Sequence, residues 1–163
     1  MNLDRAALFQ IILPFLTKIG IDYQFTTIDK KTFLPGLEIE NGTLLIDKEK
    51  CLYLGDILHE AGHIAVLTKE ERRTTNGDLG DNGTEIGVML WSFAASNFLN
   101  LPLEIVFHDT GYKGDAEWMR NNFQNKIYIG LPLLQYYGMC YDEKNAIENN
   151  TPPFPYMMNW LRT

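Results

Sequence analysis

The alternation of hydrophobic and polar positions predicts a helix followed by a strand at the start of the chain. Residues 3–13 are mostly apolar and predict a helix, with one further turn restarting at Pro14 and an end at Gly20. Residues 21–28 alternate loosely between apolar and polar side chains and include two threonines, which favours a strand.

A β-hairpin is predicted over residues 37–46. Two short segments, 37–40 and 43–46, flank the dipeptide Asn41-Gly42. Asn-Gly supplies the positive φ angles that a type I′ turn needs. A charged connection follows, and the hydrophobic pattern then changes to helical spacing.

Residues 55–67 form an otherwise apolar helical pattern that contains His-Glu-x-x-His. On a helix, His59 and His63 lie on one face about one turn apart, so both imidazoles can reach one point. Zinc accepts neutral imidazole nitrogens and prefers four ligands. The spacing therefore predicts a metal-binding helix, for which a third protein ligand must come from elsewhere.

Glu60 directly follows the first of these histidines. In this pattern the glutamate is not a ligand but the general base for the water that the metal activates. The alternative is a chance match on a core helix. The chain has only 3 histidines, and two of them lie in this pattern. Imidazoles and a carboxylate on a buried helix are costly without partners, which weighs against chance.

The second half of the chain alternates between polar loops and short apolar segments. Residues 70–83 are polar and glycine-rich and predict a loop that borders the site. Residues 84–99 are almost wholly apolar and predict a second central helix. We also predict a strand at 101–107 and two further helices, at 115–123 and 131–139.

The C-terminal part is proline-rich and predicts an extended segment over residues 145–155. The residues after it are largely apolar, so we expect residues 146–163 to pack on the body as a tail; a partner-binding tail is the alternative. The length of 163 residues predicts a single domain over residues 1–163.

Composition narrows the classes of protein. The net charge of -7 and the lack of a Lys/Arg cluster argue against a nucleic-acid surface. The apolar run 6–16 is too short to span a bilayer and lacks the flanks of a signal peptide, so we expect a buried amphipathic helix in a cytoplasmic protein without a membrane segment; secretion is the alternative. The 2 cysteines, Cys51 and Cys140, lack CxxC spacing, which favours a reducing compartment, although a bridge between them stays open.

The residues His-Glu-Ala-Gly-His at 59–63 resemble the zincin metallopeptidases, and the same string occurs in membrane-bound AAA-type proteases. The resemblance covers about a dozen residues. It implies an α+β, zincin-like fold in which a small sheet with a β-hairpin packs beside two central helices that carry a zinc site. In the gluzincin branch a glutamate on a following helix is the third ligand, and Glu85 is the only acid of the second predicted helix.

Other residues compete for these roles. Glu85 also suits a helix N-terminus without any metal. His108, in a turn-rich loop, is a rival third ligand, and either His108 or Tyr112 could donate a hydrogen bond to a tetrahedral oxyanion. The plain alternatives are a surface histidine and a packing tyrosine.

Two departures from known zincin branches matter. Metzincins carry a glycine and a third histidine where this chain has Val66 and Lys69, so that branch is excluded. Many gluzincins carry an acid where this chain has Met89. A metal-bound histidine needs a hydrogen-bond partner on its second ring nitrogen, so another residue of the chain must provide that partner. The candidates are Asp56, Asp78, Asp81 and Asp109.

Residues 129–139 resemble small bacterial proteins of unknown function, and this resemblance implies no activity.

The leading hypothesis is a zinc-dependent hydrolase of a peptide or small amide substrate, with Glu60 as general base. The second is a zincin-fold binding or regulatory module that holds a metal with little turnover, and the third is a metal-free relic. The sequence predicts neither the substrate nor the oligomeric state.

Overall fold

The computed structural model describes residues 3–77 and 83–163, and within these ranges the fold is mixed α+β. The described helices are α1 (Arg5–Ile19), α2 (Asp56–Ala65), α3 (Lys69–Arg72), α4 (Glu85–Phe98), α5 (Leu103–Val106), α6 (Ala116–Gln124), α7 (Leu131–Tyr136) and α8 (Glu143–Glu148). The described strands are β1 (Tyr23–Phe25), β2 (Leu37–Glu40) and β3 (Thr43–Ile46). The predicted α+β class is confirmed. None of the helices described has the length and apolar character needed to cross a membrane.

The three described strands form one sheet in the order β1-β3-β2. β2 and β3 form the predicted antiparallel hairpin, with Leu37 opposite Ile46, and β1 runs parallel to β3. Asn41 and Gly42 have φ angles of 47° and 75°, as a type I′ turn requires. A Cβ at Gly42 would lie 2.0 Å from the carbonyl oxygen of Arg72, so a glycine is needed where the chain passes this turn.

Helix α1 continues through Pro14, where the sequence pattern predicted a break. Asp4 caps the helix by accepting a hydrogen bond from the Ala7 N–H, and Gly20 ends it with a φ of 85°. One side of α1, including the fully buried Ile12 and Leu16, packs into the core. This packing and the two caps hold the helix together across the proline.

Helices α2 and α4 pack against each other at the centre of the fold. A Cβ at Gly62 of α2 would lie 3.0 Å from the Val88 side chain and 3.2 Å from the Trp91 ring. The glycine therefore lets the two helix backbones approach closely. Trp91 is fully buried at this contact. The predicted helices over 84–99 and 115–123 are confirmed as α4 and α6.

Three short helices lie where the sequence pattern predicted a loop, a strand and an extended segment. The capping box between Thr68 and Glu71 starts α3 within the predicted loop. Asp142 starts α8 by accepting from the Asn145 N–H. The predicted strand over 101–107 is wrong, because α5 occupies it and no described strand pairs with it. Capping contacts are too local to appear in hydrophobic periodicity.

The C-terminal residues contact both central helices. Phe154 and Met157 are buried in the core. The indole N–H of Trp91 donates to the Trp160 carbonyl at 3.0 Å, and the Arg162 N–H donates to the Ala65 carbonyl at 2.9 Å. The end of the described chain thus covers α4 and the C-terminus of α2.

Both cysteines are free and buried, so Cys51 and Cys140 form no bridge.

Candidate metal centre

Helix α2 presents two histidines to one point. His59 and His63 lie one turn apart, and their Nε2 atoms are 3.2 Å from each other. Both side chains are buried where α2 faces α4. The apolar positions around them bury the rest of the helix in the core, as the spacing predicted.

The first turn of α4 adds a carboxylate to this pair. Glu85 Oε1 lies 3.3 Å from His59 Nε2, and Glu85 Oε2 lies 3.3 Å from His63 Nε2. Among the residues described, these three form a group of side chains with a spacing that could hold a metal ion. The two carboxylate oxygens are thus divided between the two imidazoles.

The size and chemistry of this group, a triangle of side chains, are those of a site that could hold a metal cation. A tetrahedron with metal–ligand distances of about 2.0–2.2 Å has edges of about 3.3–3.6 Å. The His59–His63 separation of 3.2 Å is close to such an edge, and each imidazole lies 3.3 Å from a different oxygen of Glu85. With a single oxygen taken from Glu85, the three ligand atoms lie within 4.8 Å of one another. Two imidazole nitrogens and a carboxylate repel one another when their lone pairs converge. A cation or a proton between them removes that repulsion.

The charges of the group act on one another. Burial alone would lower the pKa of His59, but the hydrogen bond and the negative charge of Glu85 outweigh it and raise this pKa. Burial would raise the pKa of Glu85, yet the contacts with His59 and His63 hold this pKa below its usual value. The site therefore favours a negatively charged glutamate beside a positive charge.

Glu60 lies on α2 next to His59 and is half-buried. Its negative charge is among those that raise the pKa values of His59 and Tyr112. The structure thus places a carboxylate close to the triangle that is not one of its three members.

Tyr112 supports the other side of the His59 ring. Its hydroxyl oxygen lies 3.3 Å from His59 Nδ1, the ring nitrogen that does not face Glu85. Burial, followed by the charges of nearby carboxylates, raises the pKa of this phenol well above its ordinary value. The sequence had suggested Tyr112 as an oxyanion donor, whereas its observed contact is with a ligand candidate.

His108 lies outside the triangle, and both of its ring nitrogens have partners. Its Nε2 is 3.0 Å from Asp56 Oδ1, and its Nδ1 is 2.9 Å from Thr110 Oγ1. The ring stacks on Tyr53 with centroids 3.8 Å apart and an interplanar angle of 10°. Burial raises the pKa of Asp56, and the hydrogen bond from His108 opposes that shift. Glu85, rather than His108, is grouped with the two histidines of α2.

The other predicted supporting residues have different positions. Asp109 is paired with Arg120 at 2.7 Å and is mostly exposed. Asp78 and Asp81 lie outside the described residues. Met89 packs against the core. The sequence analysis predicted neither a role for Tyr53 nor the contact between Tyr112 and His59. The only nearby sign of these contacts in the sequence was the acid Asp56, which lies one turn before His59.

Comparisons with known proteins gave no significant match to a family model, a curated protein or a solved structure.

Proposed function

We propose that this chain is a zinc-dependent hydrolase of the zincin type that cleaves a peptide or another amide bond. The observation that carries the proposal is the group of His59, His63 and Glu85, in which one ligand atom from each residue lies within 4.8 Å of the others, close enough together to bind one metal ion. The position of these residues on two packed central helices, with a β-hairpin nearby in the chain, agrees with a zincin-like arrangement.

Each residue of the site has a defined role in this proposal. His59, His63 and Glu85 would hold the zinc ion, which would supply Lewis acidity towards a carbonyl group and towards water. The Glu60 carboxylate takes a proton from the attacking water and passes it to the leaving amine nitrogen. Water and amide thereby become a carboxylic acid and an amine.

A binding or regulatory module that holds zinc without turnover is the second candidate. The observation in its favour is Met89, an apolar residue packed against the core where gluzincins carry a supporting acid. A metal-free protein is the third candidate, and a metal measurement separates it from the other two.

The test begins with the metal content of the purified protein and continues with Glu60→Gln. We expect stoichiometric zinc in both proteins, and a loss of peptide-library hydrolysis of at least about 100-fold in the variant, because general bases contribute about 10²–10⁴-fold. Glu104→Gln, at an exposed glutamate of α5, is the matched control and should keep full activity.

The possible results separate the candidates. A protein without zinc would overturn the proposal. Bound zinc without cleavage of any amide would favour the binding module. Hydrolysis that Glu60→Gln leaves unchanged would remove Glu60 as the base.

A further inference from the structure

The segment between α5 and α6, residues 107–115, carries two side chains that meet α2 at different points. Near its start, His108 contacts Asp56 in the first turn of α2. Four residues later, Tyr112 contacts His59, one turn further along the same helix. The segment is therefore fastened to the metal-binding helix twice.

The contact of His108 with α2 is enclosed by neighbouring groups. The His108 side chain is only 12% exposed, and that of Asp56 only 8%. Tyr53 stacks on the imidazole ring, and Thr110 engages its second nitrogen. A Cβ at Gly111 would lie 3.0 Å from the His108 ring, so the backbone also closes around it.

The backbone at Tyr112 is unfavourable without such support. Tyr112 and Lys113 both have φ angles of 55°, in the left-handed region that costs free energy for residues other than glycine. Such conformations persist where the surrounding contacts impose them. The Tyr112 ring packs on Phe107 with centroids 5.2 Å apart, and Arg120 holds the Phe107 carbonyl.

We propose that the His108–Asp56 pair is a positioning device for the metal centre. By fixing residues 108–112 on α2, it holds the Tyr112 hydroxyl at His59 Nδ1 and so orients His59 Nε2 towards His63 and Glu85. Histidine ligands need such a partner on their second nitrogen. A phenol placed from a separate loop fills the role that an acid at position 89 would fill in a gluzincin. This inference rests on the metal site of the proposed function, not on turnover.

The main experiment compares zinc affinities, measured by competition with a chromophoric chelator. Tyr112→Phe and His108→Phe should each weaken zinc binding about 10–100-fold, the range for partners of metal ligands. The double variant should lose no more than either single variant, because both changes act through the same contact. Additive losses, or an unchanged affinity in His108→Phe, would overturn the proposal.

Matched variants separate positioning from general destabilisation. Tyr128→Phe removes a phenol hydroxyl from another part of the core and should leave the affinity unchanged. Asp56→Asn keeps a hydrogen-bond acceptor for His108 and should keep nearly the wild-type zinc affinity. Asp56→Leu removes that acceptor and should lose as much zinc affinity as His108→Phe. The visible spectrum of bound Co²⁺ should change in Tyr112→Phe and His108→Phe alike and stay unchanged in Tyr128→Phe.

A metal-free readout keeps this inference separate from the proposed function. In the protein without metal, the ¹⁵N ring signals of His59 should shift in Tyr112→Phe and shift in the same direction in His108→Phe. A wild-type protein that binds no zinc would overturn the proposed function. The His59 signals would then decide the positioning role, which fails if only Tyr112→Phe moves them.

Discussion

At the residue scale, the three ligand candidates differ in their contact with solvent. The side chains of His59 and His63 are each 10% exposed, whereas that of Glu85 is 32% exposed. The triangle therefore opens beside the first turn of α4. A partly hydrated carboxylate costs less to hold than a fully buried one.

The third ligand can be tested by a change that keeps the shape of the side chain. Glu85→Gln replaces the carboxylate with a neutral amide and should weaken zinc binding by more than about 100-fold, because even the partners of ligands change affinity by about 10–100-fold. Isothermal titration or chelator competition measures this loss. Glu104→Gln is the control. A loss of zinc in His108→Ala that exceeds the loss in Glu85→Gln would assign the ligand to His108 instead.

The residues of the site were not equally predictable. His59, His63 and Glu60 follow from spacing within one helix, because helix geometry alone brings positions four apart together. Glu85 depends on how α4 packs against α2, which no local pattern contains. Tyr112 reaches His59 from a loop 53 positions away in sequence, so its contact follows only from the assembled fold.

Asp47 gives a prediction about pH. Its carboxylate accepts hydrogen bonds from the backbone N–H groups of Ile28 at 3.0 Å, Glu49 at 3.0 Å and Lys50 at 3.4 Å. These bonds, that from Ile28 most of all, lower the pKa of Asp47. Since the folded pKa lies below the unfolded value of about 3.9, the stabilisation is complete above that value and disappears as pH falls through the folded pKa.

Asp47→Asn should therefore unfold at a lower urea concentration than the wild type at pH 7. The difference between the two unfolding midpoints should become smaller in acid. Urea titrations at pH 7 and at about pH 3 measure it. Asp29→Asn is the control, since the Asp29 side chain is 92% exposed. A gap of equal size at both pH values would mean that the charge of Asp47 contributes nothing.

At the element scale, the position of α2 depends on a close backbone contact with α5. A Cβ at Gly55, at the start of α2, would lie 1.8 Å from the Ile105 carbonyl oxygen. Gly55 has a φ of -63°, so an alanine there would be strained by this contact and not by its own backbone. The segment predicted as a strand thus forms helix α5, which contacts the start of α2.

Gly55→Ala should force α2 and α5 apart and destabilise the protein by about 3 kcal/mol, the upper part of the usual range for overpacking. Chemical denaturation measures the change, and zinc affinity should fall with it because α2 carries two ligand candidates. Gly87→Ala is the comparison, since the atoms nearest to its Cβ would belong to side chains, those of Leu133 at 3.0 Å and Leu134 at 3.6 Å, and not to the backbone. Equal losses in the two variants would contradict the backbone contact at Gly55.

The described helices and strands differ in how well the sequence pattern predicts them. The hairpin, α2 and α4 were predictable, because each has a long periodic pattern or a specific turn dipeptide. The helices α3, α5 and α8 have at most 6 residues, too few for periodicity, and side-chain caps start two of them. Helix α1 continues through Pro14 because tertiary packing outweighs a local preference.

At the scale of the whole molecule, the candidate metal centre joins parts of the chain that are far apart in sequence. His63 lies on α2 and Glu85 on α4, and the described chain between them includes α3. The C-terminal residues cover the same two helices through the Trp160 and Arg162 contacts. A ligand that binds His59, His63 and Glu85 would therefore stabilise the central packing of the fold and not a single loop.

This coupling predicts that zinc raises the thermal stability of the whole protein. A ligand at 100 times its Kd stabilises the folded state by about 2.7 kcal/mol. For a chain of 163 residues this corresponds to a rise in Tm of roughly 5–10 °C. Calorimetry of metal-stripped protein, with and without added zinc, measures the shift. Glu85→Gln should abolish it, and Glu104→Gln should keep it. A shift that persists in Glu85→Gln would place the stabilising zinc outside the triangle, because the gain depends on an ion that joins α2 to α4.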